Sequence, residues 1–255
     1  MTAEHTTSVE LTKRQHRSVS QYNQYKRCPY SWKLSRHDKA WSRPAAWLPQ
    51  GSAVHTAAEV YEKLKLEGQP LSLEEALDLF REEYSKEVSQ YTDVTPNLEY
   101  WFSSGPYRGE QDIERRYEIG LEQVEKFIGW TETHPDEEIW QAPDGTPGIE
   151  IAFDITLDDV PVRGYIDAVV MIGGDVIVRD YKTGNTPGDD FQLGVSEVAL
   201  EEVYGLSVDS GDYFLTGKKG APAKPTHPFD LSDWTRDRGS EKGRELEDNI
   251  TAGRF

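Results

Sequence analysis

The chain has 255 residues, with 46 acidic residues against 28 Lys and Arg and a formal net charge of -18. That charge argues against broad coating of a nucleic-acid duplex, which needs clustered cations. A mean hydropathy of -0.71 goes with apolar residues gathered in periodic segments, so a globular chain with a wet surface is expected. No run of about 18 apolar residues spans a membrane, and residues 1–17 form a polar, flexible lead with no apolar signal core. The single Cys28 excludes an internal disulfide and a thiolate zinc site, and a cytoplasmic location is the default expectation.

Ser18 or Ser20 caps a helix over about 20–34, which Pro29 breaks or restarts. Residues 38–50, with Pro44 and Pro49, read as a loop. Helical spacing of Val54, Ala57, Ala58, Tyr61 and Leu64 predicts a helix over 51–66. Two amphipathic helices follow, over 72–91 behind a Ser72 cap and over 109–133. Residues 134–147 are turn-rich. The period then changes to two, and three strands are predicted over 148–157, 160–172 and 175–181. Asp158-Asp159 and Gly173-Gly174 are the turns between them. A helix near 190–204, short strands and loops over 205–231, and a charged helix over 232–252 complete the chain. The expected organisation is a lead (1–17), a helical region (18–147), a meander with its following helix (148–204) and a C-terminal elaboration (205–255), all in one domain.

Turn arithmetic locates a carboxylate row. If Gly173-Gly174 is a two-residue turn, Ile172 pairs with Asp175 and Asp167 falls opposite Asp180, with their Cβ atoms about 4.5–5.5 Å apart. Lys182 lies two residues on and points to the same face. The Asp158-Asp159 turn likewise puts Glu150 opposite Asp167, unless Pro161 shifts the register. Like charges in such a row are destabilising and call for a cation or a shifted pKa. Hard oxygen ligands suit Mg²⁺ or Mn²⁺, and a nearby lysine can stabilise charge developing on a phosphate. Taken singly, these residues also fit an exposed strand alternation, and Glu150, Ala152, Asp154 and Thr156 also fit a wet face.

The pattern Gly164-Tyr-Ile-Asp167, then Val178-Arg-Asp180-Tyr-Lys182-Thr-Gly184, then Gln192-Leu193, resembles the PD-(D/E)XK nuclease core. More narrowly it resembles the RecB-like exonucleases, including CRISPR-associated and phage-encoded ones. Upstream, Ser18-Val-Ser-Gln-Tyr, Lys26-Arg-Cys28-Pro-Tyr and Gly51-Ser-Ala-Val-His55 resemble the same family, so the likeness runs from about 18 to 204. It implies that His55, Asp167 and Asp180 are metal ligands; Glu150, placed level with Asp167 by the turn register, is a further candidate. It implies that Lys182 is the catalytic lysine and that Gln192 orients the lysine or the DNA. On spacing alone His55 is a helix-surface histidine. The family's Tyr four residues after the Gln is Ser196 here, which weakens the expected hold on Lys182 or a base. Many relatives carry an iron-sulfur cluster on four cysteines; Cys28 alone cannot build one and reads as a small buried hydrophobe. Ala252-Gly-Arg-Phe255 resembles the stretch before the missing cysteines.

Tyr22, Tyr25, Lys26, Arg27, Tyr30, Trp32 and Lys33 interleave aromatic and basic residues. They suit either base stacking, with Tyr22 and Arg27 as DNA contacts, or core packing of the rings. Lys218-Lys219 is a phosphate contact or a solvated turn. The fold expected is α/β, with a restriction-endonuclease-like core: a mixed sheet holding an antiparallel meander, flanked by helices, plus an N-terminal helical region. The function expected is a Mg²⁺- or Mn²⁺-dependent exonuclease on single-stranded DNA ends, in recombination, repair, or CRISPR or phage DNA processing. Recombination or CRISPR proteins are the implied partners, with no membrane. Two other readings fit the residues: an inactive DNA- or partner-binding relative, and a metal hydrolase of small phosphorylated substrates.

Overall fold

A computed structural model of the chain describes residues 16–217 and 219–255, so most of the polar lead, and Lys218, lie outside the described residues. Arg17, placed in the lead by its sequence, is pinned to the sheet: its amide donates to Pro161 O at 2.8 Å and its guanidinium pairs with Glu247.

Helix α1 (Val19–Arg27) starts at Ser18, whose side chain accepts from Gln21 N. It stops at Cys28, and Pro29 opens α2 (Pro29–Trp32) at its first position, where the missing N–H costs nothing. A π-turn over Lys33–His37 follows. Helix α3 (Trp47–Leu66) begins four residues before the expected start. Pro49 does not forbid this, because the first-turn amides have no intrahelical partner. Helix α4 (Leu73–Val94) has a full capping box between Ser72 and Glu75, and α5 spans Gly109–Thr133, as the periodicity predicts.

A short strand, β1 (Glu137–Ile139), lies in the stretch read as turns. Strands β2 (Ile149–Leu157), β3 (Val160–Ile172) and β4 (Asp175–Lys182) form the antiparallel meander. Its turns are left-handed at both central residues, with φ of 46° and 64° at Asp158 and Asp159, and 62° and 98° at Gly173 and Gly174; such turns match the twist of the flanking strands. Helix α6 (Asp190–Tyr204) then crosses over to β5 (Ser210–Leu215), which runs parallel to β4. β6 (Lys224–Pro225), β7 (Phe229–Asp230) and α7 (Arg236–Thr251) complete the chain.

The sheet runs β1-β3-β4-β5-β6, with β2 also on β3 and β7 also on β5. β5 lies in the stretch that the sequence reads as short strands and loops. Its buried Tyr213 and Phe214 give it a place beside β4, which makes the sheet mixed. One face packs on Phe191, Leu193, Val198 and Leu200 of α6 and on Trp234. The other packs, through Phe214 and Tyr181, on α3, α4 and α5. The result is the mixed α/β, restriction-endonuclease-like architecture expected from the sequence.

α6 approaches closely because Gly194 has no side chain: a Cβ there would stand 2.0 Å from Trp234 Cδ2. Gly194→Ala is therefore expected to overpack this face by about 1–3 kcal/mol and to lower the melting temperature by roughly 5 °C. Calorimetry checks this, and an unchanged melting temperature would contradict the close contact.

Candidate metal centre

Two strands change face at one point. Ile151, Phe153, Ile155 and Leu157 of β2 pack in the α6-side core, whereas Ile149 packs with Ala168, Val170 and Ile177 in a separate cluster. The switch falls on Glu150, which has φ of 48°. Such a backbone is costly for a residue with a Cβ and persists only where its surroundings hold it. The β2–β3 register brackets it, with Ile151 opposite Ile166 and Ile149 opposite Ala168. Glu150 therefore sits level with Asp167, as the turn arithmetic expects.

The β3–β4 register also follows the arithmetic, from Ile172↔Asp175 to Ala168↔Arg179. The ladder ends there, one step before Asp167 and Asp180 would pair. Instead Asp167 Oδ2 accepts a 2.7 Å hydrogen bond from the Tyr181 amide. The two aspartates are neighbours rather than ladder partners.

Helix α3 supplies the histidine. Its apolar stripe (Val54, Ala57, Ala58, Tyr61) packs into the helical layer, which leaves Trp47, Gly51 and His55, four residues apart, on another stripe. A Cβ on Gly51 would stand 3.4 Å from Thr183 Oγ1, so this stripe lies over the turn after Lys182. His55 Nδ1 lies 3.7 Å from both Glu150 Oε1 and Asp167 Oδ2. One ligand atom from each of the three falls within 4.8 Å of the others.

Asp180 stands beside this trio in a ring of its own. Gln192 donates from Nε2 to Asp180 Oδ1, and Lys182 Nζ donates to Gln192 Oε1 at 3.1 Å. Lys182 Nζ also lies 2.7 Å from Asp180 Oδ2, yet outside hydrogen-bonding direction, so that buried oxygen has no directed donor. Gln192 is held by α6, whose N-cap Asp189 accepts from Phe191 N.

Burial dominates the electrostatics. It pushes Asp167 up to about 7, aided by the Asp180 charge and opposed by His55. Burial raises Asp180 too, against the pull of Lys182. His55 is pushed the other way by burial, but Glu150 and Asp167 outweigh that and lift it to about 9.

The structure thus brings together His55, Glu150 and Asp167, with Asp180, Lys182 and Gln192 adjoining. It does not bring Tyr22 or Arg27 into hydrogen-bonding contact with them. Tyr22 packs on Phe191, ring centroids 4.2 Å apart, and Arg27 is exposed at the end of α1. Tyr25 and Trp32 are buried with Leu246, so these rings are core rather than a stacking surface. Cys28 is exposed, not buried, and its Sγ caps α2 by accepting from Ser31 N. Lys219 is exposed in a turn.

A polar relay escaped the sequence reading. Gln123 of α5 donates to Thr183 O at 2.7 Å and accepts from Gln50 Nε2, and Gln50 Oε1 accepts from Arg116 at 2.9 Å. Gln50 and Gln123 are each 1% exposed. The signal was a glutamine in the apolar stripe beside Val124, Phe127 and Ile128.

A sequence profile of the PD-(D/E)XK nuclease superfamily matches residues 16–245. The chain belongs to that superfamily. Among curated proteins, the Gene 69 protein of Mycobacterium phage D29 is 56% identical over 240 residues, covering 94% of this chain and 89% of the relative. That of Mycobacterium phage L5 is 54% identical with the same coverage. Protein VC1899 from Vibrio cholerae, a solved structure, aligns at 13% identity and a TM-score of 0.23 over 93% of this chain and 58% of its own; nothing about the fold rests on it.

PD-(D/E)XK membership makes this a metal-dependent nuclease. The residues present fit such an ion: an imidazole nitrogen and two carboxylates within reach of one point, with the buried Asp180 carboxylate beside them. This oxygen-rich set suits Mg²⁺ or Mn²⁺.

A pH dependence follows. Asp167 and also Glu197, which burial pushes up to about 7, keep their protons in the folded state at pH values where the unfolded chain has lost them. Their contribution to stability is therefore lost as pH rises from about 4 to 7. His55, raised to about 9, adds stability that is full below about 6.5 and lost as pH rises to 9. All three act in one direction. In EDTA the melting temperature should fall by roughly 5 °C or more between pH 5 and 9. Mn²⁺ at pH 8 should restore much of it, because the ion binds the deprotonated, folded ligands. A flat profile in EDTA would contradict this electrostatic reading.

Proposed function

We propose that this chain is a metal-dependent exonuclease that hydrolyses single-stranded DNA from its ends. The observation that carries the reading is the meeting of His55, Glu150 and Asp167 at one point, with Lys182 adjoining. The exonuclease and RecB-like character is supported by the resemblance of Asp180 to Gly184, Gln192-Leu193 and the Gly51–His55 segment to that family. The kinship with two phage proteins supports a role in phage DNA processing or recombination in a host cytoplasm, alongside recombination proteins.

In this reading His55, Glu150 and Asp167 would hold the ion, and Asp180 stands beside them. A bound divalent cation would supply Lewis-acid activation of the scissile phosphate. The phosphorus gains a bond to a water oxygen and loses one ester oxygen, which leaves with a proton. Lys182 releases Asp180 and turns its ammonium to the water and the equatorial phosphate oxygens, where negative charge grows. Gln192 bridges Asp180 and Lys182 and keeps both in register. Tyr181 holds Asp167 by its amide, so that carboxylate needs no reorganisation.

The test is degradation of an end-labelled single-stranded oligonucleotide with Mg²⁺ or Mn²⁺. Wild type is expected to shorten it stepwise, and Lys182→Ala to lose about a hundredfold or more in kcat. Gln192→Ala should lose less, because it positions rather than reacts. If wild type fails to cut with either ion, the inactive, DNA-binding relative replaces this reading. If DNA does not compete with metal-dependent phosphatase activity, the small-substrate hydrolase does.

A further inference from the structure

Of the interleaved aromatics near α1, Tyr25 and Trp32 are buried and Tyr22 packs on Phe191, while Tyr30 stays exposed; a second exposed aromatic pair stands at the start of α3. Trp47 opens α3, and its ring is 6.4 Å from that of Phe102. Both are exposed, at 36% and 45%. The pair is built rather than loose. Phe102 N donates to Pro44 O at 2.8 Å. Arg43 donates to the carbonyls of Tyr100 and Trp101 while its guanidinium lies 5.0 Å over the Phe102 ring. Arg116 lies 5.8 Å from the Trp47 ring on its way to Gln50.

The position of Trp47 gives this surface its meaning. Trp47, Gly51 and His55 share one stripe of α3; Gly51 lies against Thr183 and His55 against Glu150 and Asp167. Eight residues separate Trp47 from His55, about 12 Å along the axis, which is the span of a few stacked nucleotides. The charge agrees. Residues 16–58 carry seven Lys and Arg and one acid, Asp38, in a chain whose total is -18.

We propose that Trp47 and Phe102, with Arg43 beside them, form a stacking platform for unpaired bases that leads a single DNA strand to the His55–Glu150–Asp167 cluster. The inference rests on the nuclease reading above and names where its substrate is held. Exposed aromatic rings accept any base by its π-face, and arginine adds a cation to the same path. A duplex hides those faces, so the platform selects unpaired strand.

The test is fluorescence anisotropy of a labelled oligothymidylate with the full-length protein in EDTA, so that binding is read without cleavage. Trp47→Ala and Phe102→Ala are each expected to weaken binding about tenfold or more. Trp47→Phe should keep most of the affinity. Trp47→Leu, which retains apolar volume and gives a folded comparison, should lose it. A blunt duplex of the same length should bind more weakly than the strand and not respond to Trp47→Ala. The platform is overturned if Trp47→Leu binds like wild type, if strand and duplex weaken alike, or if the folded alanine variants lose no affinity. Mn²⁺-dependent hydrolysis of bis(4-nitrophenyl) phosphate by wild type, a diester with no base, reads the metal cluster separately. Its absence would sink the nuclease reading even where DNA binding follows Trp47.

Discussion

Three carboxylates, Glu150, Asp167 and Asp180, meet at a corner of the sheet, and much of the surrounding structure answers that crowding. Burial raises both aspartates. His55 from one helical layer and Lys182 from the strand supply the opposing charge, Gln192 from the other helical layer supplies an amide donor, and the Tyr181 amide supplies a fixed dipole. The offsets are partial, since among the described residues only His55 and Lys182 stand against three carboxylates. A cluster left short of positive charge in this way has a physical use for a divalent cation.

The sheet and the α3–α5 layer both hold that corner. The left-handed backbone of Glu150 switches β2 from one core to the other and swings its carboxylate towards His55. From the α3–α5 side, the Arg116–Gln50–Gln123 relay ends on the Thr183 carbonyl and fixes the chain just past Lys182. Behind β4, Arg179 makes a two-pronged pair with Asp212 of β5 and reaches Glu137 of β1. That pairing joins the strands on either side of the meander. Buried ion pairs of this kind add little net stability, but removing one partner leaves a costly lone charge.

What was readable in the sequence was local. Two-residue turns fixed both hairpin registers, Ser72 and Ser18 announced their helices, and the motifs named residues that the fold brings near one another. What was unreadable depended on tertiary context. Pro49 hid the true start of α3 because proline is tolerated in a first turn. β1 has only three residues and gains its partner from the distant end of β3. β5 pairs in parallel with β4 across the α6 crossover, and such non-local pairing leaves no hairpin signal. Asp167 and Asp180 failed to pair across the ladder because a side chain outcompeted the next rung for the Tyr181 amide. The interleaved aromatics near α1 gave no sign of which rings would find a core, and packing against Leu246 and Phe191 decided it.

The acidity of the chain, the strongest compositional argument against nucleic-acid binding, is unevenly spread. It spares the N-terminal segment through the first half of α3, the part that carries His55. The activity turns on the metal centre of His55, Glu150 and Asp167. Diffraction from crystals soaked in Mn²⁺, with anomalous differences at the manganese edge, tests it most directly. A manganese peak coordinated by His55, Glu150 and Asp167, with Asp180 turned towards it, is expected. Manganese bound only elsewhere, or these side chains keeping their present contacts with no ion between them at saturating Mn²⁺, would contradict it.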